Sequence, residues 1–443
     1  MTLLAAIRTA IVCSLVAASA FARADTLLDI YRLATAGDPQ LRQAEAAYHA
    51  VAETKTQARA QLLPQIALGA NLSRDRQDVT STTSPFFQPA TFYANTKGYE
   101  LSLDQALYRR DLFVQLRAAD AAIAQAAAAY QAAQQDLAVR AADRYFKVLA
   151  AADNLKFAQS EKEANQHLLE QAKQRFDVGL IAITDVHEAQ AAYDLAAARE
   201  ITAENQAAIA KEELREVTGK FHESLQPLKA TMPLPSPEPA NVEKWVESAL
   251  QQNFQILAAQ AGVDKAREDV ELNRAGHYPK LDAVASYGYS DVSAGLLGGS
   301  TSNDGKIGLQ FSLPLYQGGG TASRVQAAVY RLTQTEEAFE QQRRATDRQT
   351  RSAYLTVIDA INSVSALKQA LISSQSAVDA TQAGYEVGTR TLVDVLQIQR
   401  NLYDAQRNYA EARYNYVVSS LRLKEAAGML NPGDVEEINR WLE

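Results

Sequence analysis

The sequence predicts a mostly α-helical chain with four short β-strands, arranged as two pseudo-repeats. Three observations carry that prediction. The halves match at an offset of about 210 residues, which has to be settled before any element is named. Arg59–Ile66, containing Pro64, matches Arg274–Leu281, containing Pro279, and Phe176-Asp177-Val178-Gly179 with Asp185 matches Tyr385-Glu386-Val387-Gly388 with Asp394. Long alanine-rich stretches keep a 4-3 apolar spacing, and four segments alternate apolar and polar residues with period two.

The chain opens on a secretion signal at residues 1–24. Arg8 supplies the positive start, Thr9–Ala20 the apolar stretch, and Ala22-Arg23-Ala24 an A-x-A cleavage signal before Asp25. The stretch is too short to span a membrane. Cys13, the one cysteine, leaves with it. It is not read as a lipidation site, because Ala10-Ile11-Val12 lacks the small residue placed just before a lipoprotein cysteine. No later segment approaches ~20 uninterrupted apolar residues, so membrane contact, if any, falls to strands.

The first pseudo-repeat, 25–224, reads as a helix, a strand hairpin over 62–108, and a long helix with a helix hairpin over 109–220. Ile66, Leu68, Ala70 and Leu72 alternate with Ala67, Gly69 and Asn71, and Tyr99, Leu101 and Leu103 alternate with Glu100, Ser102 and Asp104. From Leu112 the apolar positions run Leu116, Ala119, Ile123, Ala126, Tyr130, Ala133, Leu137, a seam suited to knobs-into-holes packing. Residues 110–175 contain no proline. At 1.5 Å per residue they make a rod of roughly 100 Å, a spacer rather than a globular core.

A linker over 225–241, with Pro227, Pro233, Pro235, Pro237 and Pro239, is neither helix nor central strand. The second pseudo-repeat, 242–431, repeats the layout: a helix, a strand hairpin over 279–316, and a helix hairpin over 320–428, before a tail at 432–443. Ala283, Ala285, Tyr287 and Tyr289 alternate with polar residues, as do Ile307, Leu309, Phe311 and Leu313. The last helix keeps the seam Val395, Ile398, Leu402, Ala405, Tyr409, Ala412, Tyr416.

Period-two strands of about ten residues fit both a lipid-facing barrel and a half-buried antiparallel sheet. Counting separates the two. Four strands cannot close a barrel, and an open edge in lipid leaves backbone groups without partners. A membrane reading therefore requires several copies sharing one barrel. Phe86, Phe87, Phe92 and Tyr93 in one hairpin loop and Gly295-Leu296-Leu297-Gly298-Gly299 in the other supply interfacial aromatics and flexible residues. An exported chain with both rods and barrel strands suggests a conduit.

A net charge of −8 argues against nucleic-acid binding. The five histidines are scattered without metal spacing, and no cofactor is implied. No phosphate loop or nucleophile elbow is present, so an enzyme is not expected. His187 beside Asp185 sits on an alanine-rich hairpin without a pocket, and Gly318-Gly319-Gly320 reads as a turn.

Over essentially the whole mature chain the sequence resembles the TolC-type outer-membrane efflux and secretion proteins. The duplicated layout, the Arg59/Pro64 and Arg274/Pro279 strand starts, Leu315-Tyr316-Gln317-Gly318-Gly319-Gly320 and the tip Gly384–Leu396 carry the resemblance. It implies a homotrimer in outer-membrane lipid, with twelve strands in one β-barrel continued by an α-barrel of helices through the periplasm. It also implies a periplasmic membrane-fusion adaptor and an inner-membrane transporter as partners, exporting proteins, drugs or other solutes. The competing reading is a periplasmic coiled-coil adaptor or structural protein with a soluble sheet. Adaptors, however, carry one hairpin, and this chain has two hairpins and two strand pairs.

Gly179 and Gly388 sit between heptad runs, where glycine permits the positive φ that reverses a helix. The resemblance places adaptor contact at Val178-Gly179-Leu180 and Val387-Gly388-Thr389. Asp394 lies four residues after Arg390, which by itself is an ordinary exposed pair. The family motif instead aims Asp394 into the tunnel as an acidic ring, whose carboxylates ~8 Å apart repel by roughly 2 kcal/mol per pair at an effective dielectric of ~20. Where the family has a second aspartate this chain has Gln397, so a double ring and strong multivalent-cation block do not carry over. Tyr385 and Arg390 match residues that link to the neighbouring hairpin at Thr184 and Asp185 and hold a gate closed until an iris-like rotation opens it.

Overall fold

The computed structural model describes residues 24–81, 89–293 and 298–443. Residues 1–23 of the expected signal segment 1–24, and Phe86, Phe87 and Gly295–Leu297 of the hairpin loops, lie outside them. The elements are α1 (Leu27–Gly37), α2 (Pro39–Ala60), β1 (Gln65–Val79), β2 (Ala90–Arg109), α3 (Arg110–Asp177) and α4 (Ile183–Thr218). There follow α5 (Val242–Gln252), α6 (Phe254–Arg274), β3 (Lys280–Val292), β4 (Ser300–Ser312), α7 (Gly320–Glu386), α8 (Leu392–Ala426) and α9 (Pro432–Asn439). The described residues are thus mostly helical, with four antiparallel strands. They divide into two compact units.

One unit holds Ala46–Ala129 and Leu257–Gln342 and contains a single sheet in the order β1-β2-β3-β4. Its register aligns the alternation of every strand. Leu68 faces Leu101, Leu101 faces Tyr287 and Tyr287 faces Gly305; Ile66, Leu103, Ala285 and Ile307 form the next row. Directly opposed residues share a face, so one face is apolar while the other carries Asn71, Glu100, Ser102, Asp104 and Lys306. The apolar face is uncovered: Ile307 is 91% exposed and Leu72 83%. β1 and β2 extend past their apolar alternation, so Phe92 and Tyr93 lie in β2 and not in the loop where the sequence placed them. Their partners there include Arg76 and Gln77, polar residues on which a hydropathy pattern is silent.

The other unit holds the chain up to Glu45, Tyr130–Ile256 and Arg343–Glu443. Its core gathers Leu27 and Ile30 of α1, Tyr145 and Phe146 of α3, Leu214 of α4, Trp245 of α5, Val357 of α7, Tyr416 and Val417 of α8 and Ile438 of α9. Side chains hold the proline-rich segment that cannot pair with itself. Tyr145 Oη donates to Gln226 O (2.7 Å), Tyr416 Oη to Pro235 O (2.8 Å) and Trp245 Nε1 to Pro239 O (2.9 Å). On α4, Ala189, Ala196, Ala203 and Ala210 are buried at heptad intervals, the small side chains of a close helix seam.

Where the sequence suggested one helix before each strand hairpin, the structure has two. Pro39 disfavours a helical Asp38, and the buried Asp38 carboxylate instead accepts from Leu41 N (2.7 Å). Asn253 breaks the second pair likewise, accepting from Gln255 N (2.9 Å). One stretch of α7 is also apolar enough by composition for a span. At 67 residues α7 far exceeds the ~20 that a bilayer accommodates.

Candidate functional site

The two helical hairpin tips are built by the same local chemistry. α3 ends at Asp177, and Gly179, at φ +76°, turns the chain while Gly179 N and Leu180 N donate to Phe176 O and Arg175 O (2.8 and 2.9 Å). α7 ends at Glu386, and Gly388, at φ +78°, does the same while Thr389 N donates to Gly384 O (2.8 Å). The left-handed turn needs glycine. Both tips project apolar side chains. Val178, Leu180 and Val387 are 70%, 71% and 75% exposed, with Gly179, Gly388 and Thr389 between them.

Beneath the tips Leu169, Ala172, Ala189 and Leu392 form a small core, with Tyr385 packed on it. The Arg175 guanidinium lies 4.9 Å from the Tyr385 ring centre, so Tyr385 of the second hairpin is held by α3 of the first. Arg390 and Thr184 are exposed and Asp185 is half-buried. Among the described residues of one chain, neither Tyr385 nor Arg390 bonds to Thr184 or Asp185.

Asp394 has a local role that spacing to Arg390 alone did not reveal. It is the third residue of α8, whose Thr391 cap accepts from Asp394 N (3.2 Å), while the Asp394 carboxylate accepts from Thr391 N (3.0 Å). This capping box stabilises the helix start. It holds the carboxyl below the usual range, through the Thr391 backbone and side-chain bonds first and Arg390 last. The signal was legible as Thr391-x-x-Asp394. Gln397, one turn on, donates to Asn401 Oδ1 (3.0 Å).

A second polar layer lies further along the hairpins. Glu161 of α3 is 3% exposed; its Oε1 is 2.6 Å from Arg199 of α4 and its Oε2 3.5 Å from Arg407 of α8. Tyr403 Oη donates to Ser160 O (3.1 Å) at the same level. One buried carboxylate thus joins both hairpins. Its signal was a charge inside a seam, since Ala158, Glu161, Asn165, Leu169 and Ala172 are all buried at helical spacing. No cluster of metal-ligating side chains occurs among the described residues.

Comparison with known proteins agrees with this architecture. The family model of outer membrane efflux proteins matches residues 30–220 and 245–429. Outer membrane protein TolC of Vibrio cholerae is 39% identical over 95% of this chain and 94% of its own length. The alkaline protease secretion protein AprF of Pseudomonas aeruginosa is 30% identical over 93% and 86%. The crystal structure of the Campylobacter jejuni CmeC outer membrane channel shares the fold, with a TM-score of 0.78 over 94% of this chain and 90% of that one at 16% identity.

Proposed function

The chain belongs to the outer membrane efflux protein family and is an outer-membrane channel for efflux or type I secretion that extends into the periplasm of a Gram-negative cell, and from that premise we propose how it is assembled and gated. Three copies each contribute β1–β4 to one twelve-stranded barrel, with the apolar face toward lipid and the polar face toward the lumen. The helices continue it as an α-barrel through the periplasm. Residues 1–24 are removed on export, and 25–224 and 242–431 are the two pseudo-repeats joined by the linker 225–241 and followed by the tail 432–443. That the family model matches the chain twice supports the duplication.

The observation that carries the assembly is the isolated sheet, apolar on one exposed face and, among the described residues, without a strand partner at either outer strand. Such a sheet is unstable alone in lipid or in water. Strands alternate in direction, so β4 of one copy meets β1 of the next antiparallel and closure is consistent for any number of copies. Two copies give eight strands, a barrel filled by its own side chains, whereas three leave a lumen.

At the periplasmic end Val178, Gly179 and Leu180 with Val387, Gly388 and Thr389 receive a membrane-fusion adaptor, which couples the channel to an inner-membrane transporter. Their exposed apolar side chains support that contact. Asp394 lines the pore as a single acidic ring, with Gln397 polar but uncharged behind it. Arg390 and Tyr385 hold the closed state against Thr184 and Asp185 of the adjoining hairpin. Opening is a rotation of α7 and α8 once the partner binds the open state better. The test is Arg390→Ser with Tyr385→Phe in planar lipid bilayers: single-channel conductance rises severalfold, and an unchanged conductance removes these side chains from the gate.

A further inference from the structure

The exposed face of the sheet is not uniformly apolar, and its departures are ordered along the strands. Tyr99 and Tyr289 are paired across β2 and β3 and stack with ring centres 5.5 Å apart. Two residues further toward the hairpin loops, on the same face, stand Lys97 and Asp291, also paired, with Nζ 3.0 Å from the carboxylate. Lys97 faces Leu72 of β1, and the next positions of that face are Arg74 and Arg76. The Arg74 guanidinium lies 5.2 Å from the Tyr93 ring centre, and Arg76 pairs with Asp78 at 3.0 Å. The face therefore runs from aliphatic to aromatic to cationic, with three cations against two carboxylates.

Below the tyrosines lies a depression of about 720 Å³ lined by Ile66, Leu101, Tyr287 and Ile307. Its floor is Gly305. A Cβ built there meets only Tyr287 Cδ2, at 3.8 Å, so the cavity exists because a side chain is missing, not because the backbone is crowded.

We propose that this face holds a phosphorylated glycolipid of the outer leaflet, with an acyl chain in the depression at Gly305 and a phosphate at Lys97, Arg74 and Arg76. Leu101 and Lys97 are four residues apart on β2, about 13 Å along a strand, so one lipid spans from the depression to the cations. The aromatic pair sits between them, at the level where a barrel's aromatic girdle meets lipid headgroups. Arginine and lysine at that level attract anionic headgroups, whereas a zwitterionic headgroup gains little. The proposal rests on the lipid-facing orientation of the apolar face proposed above.

The test is native mass spectrometry of the full channel in detergent, offered diphosphoryl lipid A or phosphatidylcholine, with planar-bilayer conductance recorded on each sample. The wild type retains lipid A in preference to phosphatidylcholine. Arg74→Gln with Lys97→Gln lowers retained lipid A about tenfold, Arg74→Lys with Lys97→Arg preserves it, and Gly305→Ile, which fills the depression, lowers retention of both lipids. Conductance stays at the wild-type level in all three variants, which also reports that they fold. Equal retention of lipid A in the wild type and the Arg74→Gln, Lys97→Gln variant, or a wild-type preference for phosphatidylcholine, overturns the proposal. Loss of conductance in the wild type itself overturns the channel reading instead.

Discussion

Burial of the Glu425 carboxyl on α8 pushes its pKa up to about 7, with Asp136 adding to the rise and Arg422 opposing it. The native chain thus holds a proton on Glu425 between its ordinary carboxylate range and neutrality, where the unfolded chain has released it. Stability is undiminished below about pH 4.5 and falls as the pH rises toward 7, by on the order of 3 kcal/mol once the group is ionised in both states. Glu425→Gln should therefore raise the midpoint of thermal unfolding at pH 8, followed by circular dichroism in detergent, and leave it unchanged near pH 4.5. A gain that does not depend on pH would place the effect outside the titration. Asp394 has the opposite sign: its capping bonds favour the carboxylate, so its contribution to the α8 start is present at neutral pH and lost only below the ordinary aspartate range. One of these roles was readable in the sequence and the other was not. Thr391-x-x-Asp394 spells a cap, whereas nothing near Glu425 in sequence announces Asp136, which reaches it from a helix almost three hundred residues away.

Elements that depend on local chemistry were legible, and those that depend on distant packing were not. The 4-3 spacing read from Leu112 and from Val395 falls on buried or half-buried side chains throughout, because a heptad seam is a property of one helix. The alternation of the strands likewise matches their faces. The helix breaks at Asp38 and Asn253 went unread, although Pro39 marked the first, because the periodicity continues across them. Glu161 is the sharper case, since a seam position with a carboxylate makes sense only when Arg199 and Arg407 arrive from two other helices. Removing one partner of a buried charge cluster leaves the rest uncompensated, commonly at ~3–5 kcal/mol, while replacing the whole cluster with apolar side chains is often neutral. Glu161→Gln should lower the unfolding midpoint and raise single-channel conductance, because α8 loses its ionic tie to α3, leaving the Tyr403–Ser160 bond. The triple Glu161→Leu, Arg199→Leu, Arg407→Leu variant should regain the midpoint. A midpoint unmoved by Glu161→Gln would show the cluster to be solvated and without weight.

For the whole molecule, the decisive physical constraint is that β1 and β4 end the sheet with no strand partner among the described residues, on the surface proposed above to meet lipid. The four described strands cannot satisfy either edge by closing on themselves, since four strands with a right-handed twist do not meet. In the proposed assembly the partner of β4 is β1 of another copy, and around a closed ring the same contact recurs until the circle is complete. The sequence offers a clean way to count that ring, because its one cysteine, Cys13, falls in the expected signal segment 1–24 and would be absent from the exported chain. Gly308 on β4 and Ala67, Gly69 and Asn71 on β1 all stand on the polar face, which in the proposed barrel faces the lumen, where an oxidant has access. A series pairing Gly308→Cys with Ala67→Cys, Gly69→Cys or Asn71→Cys should contain one register at which oxidation links chains into a covalent trimer on a denaturing gel. Reduction should return it to monomer. Species that stop at a dimer would limit the ring to eight strands and remove the lumen, and a ladder growing past three would mean that the contact does not close. The register that crosslinks would also fix the stagger of the barrel, and with it the tilt of every strand toward the membrane.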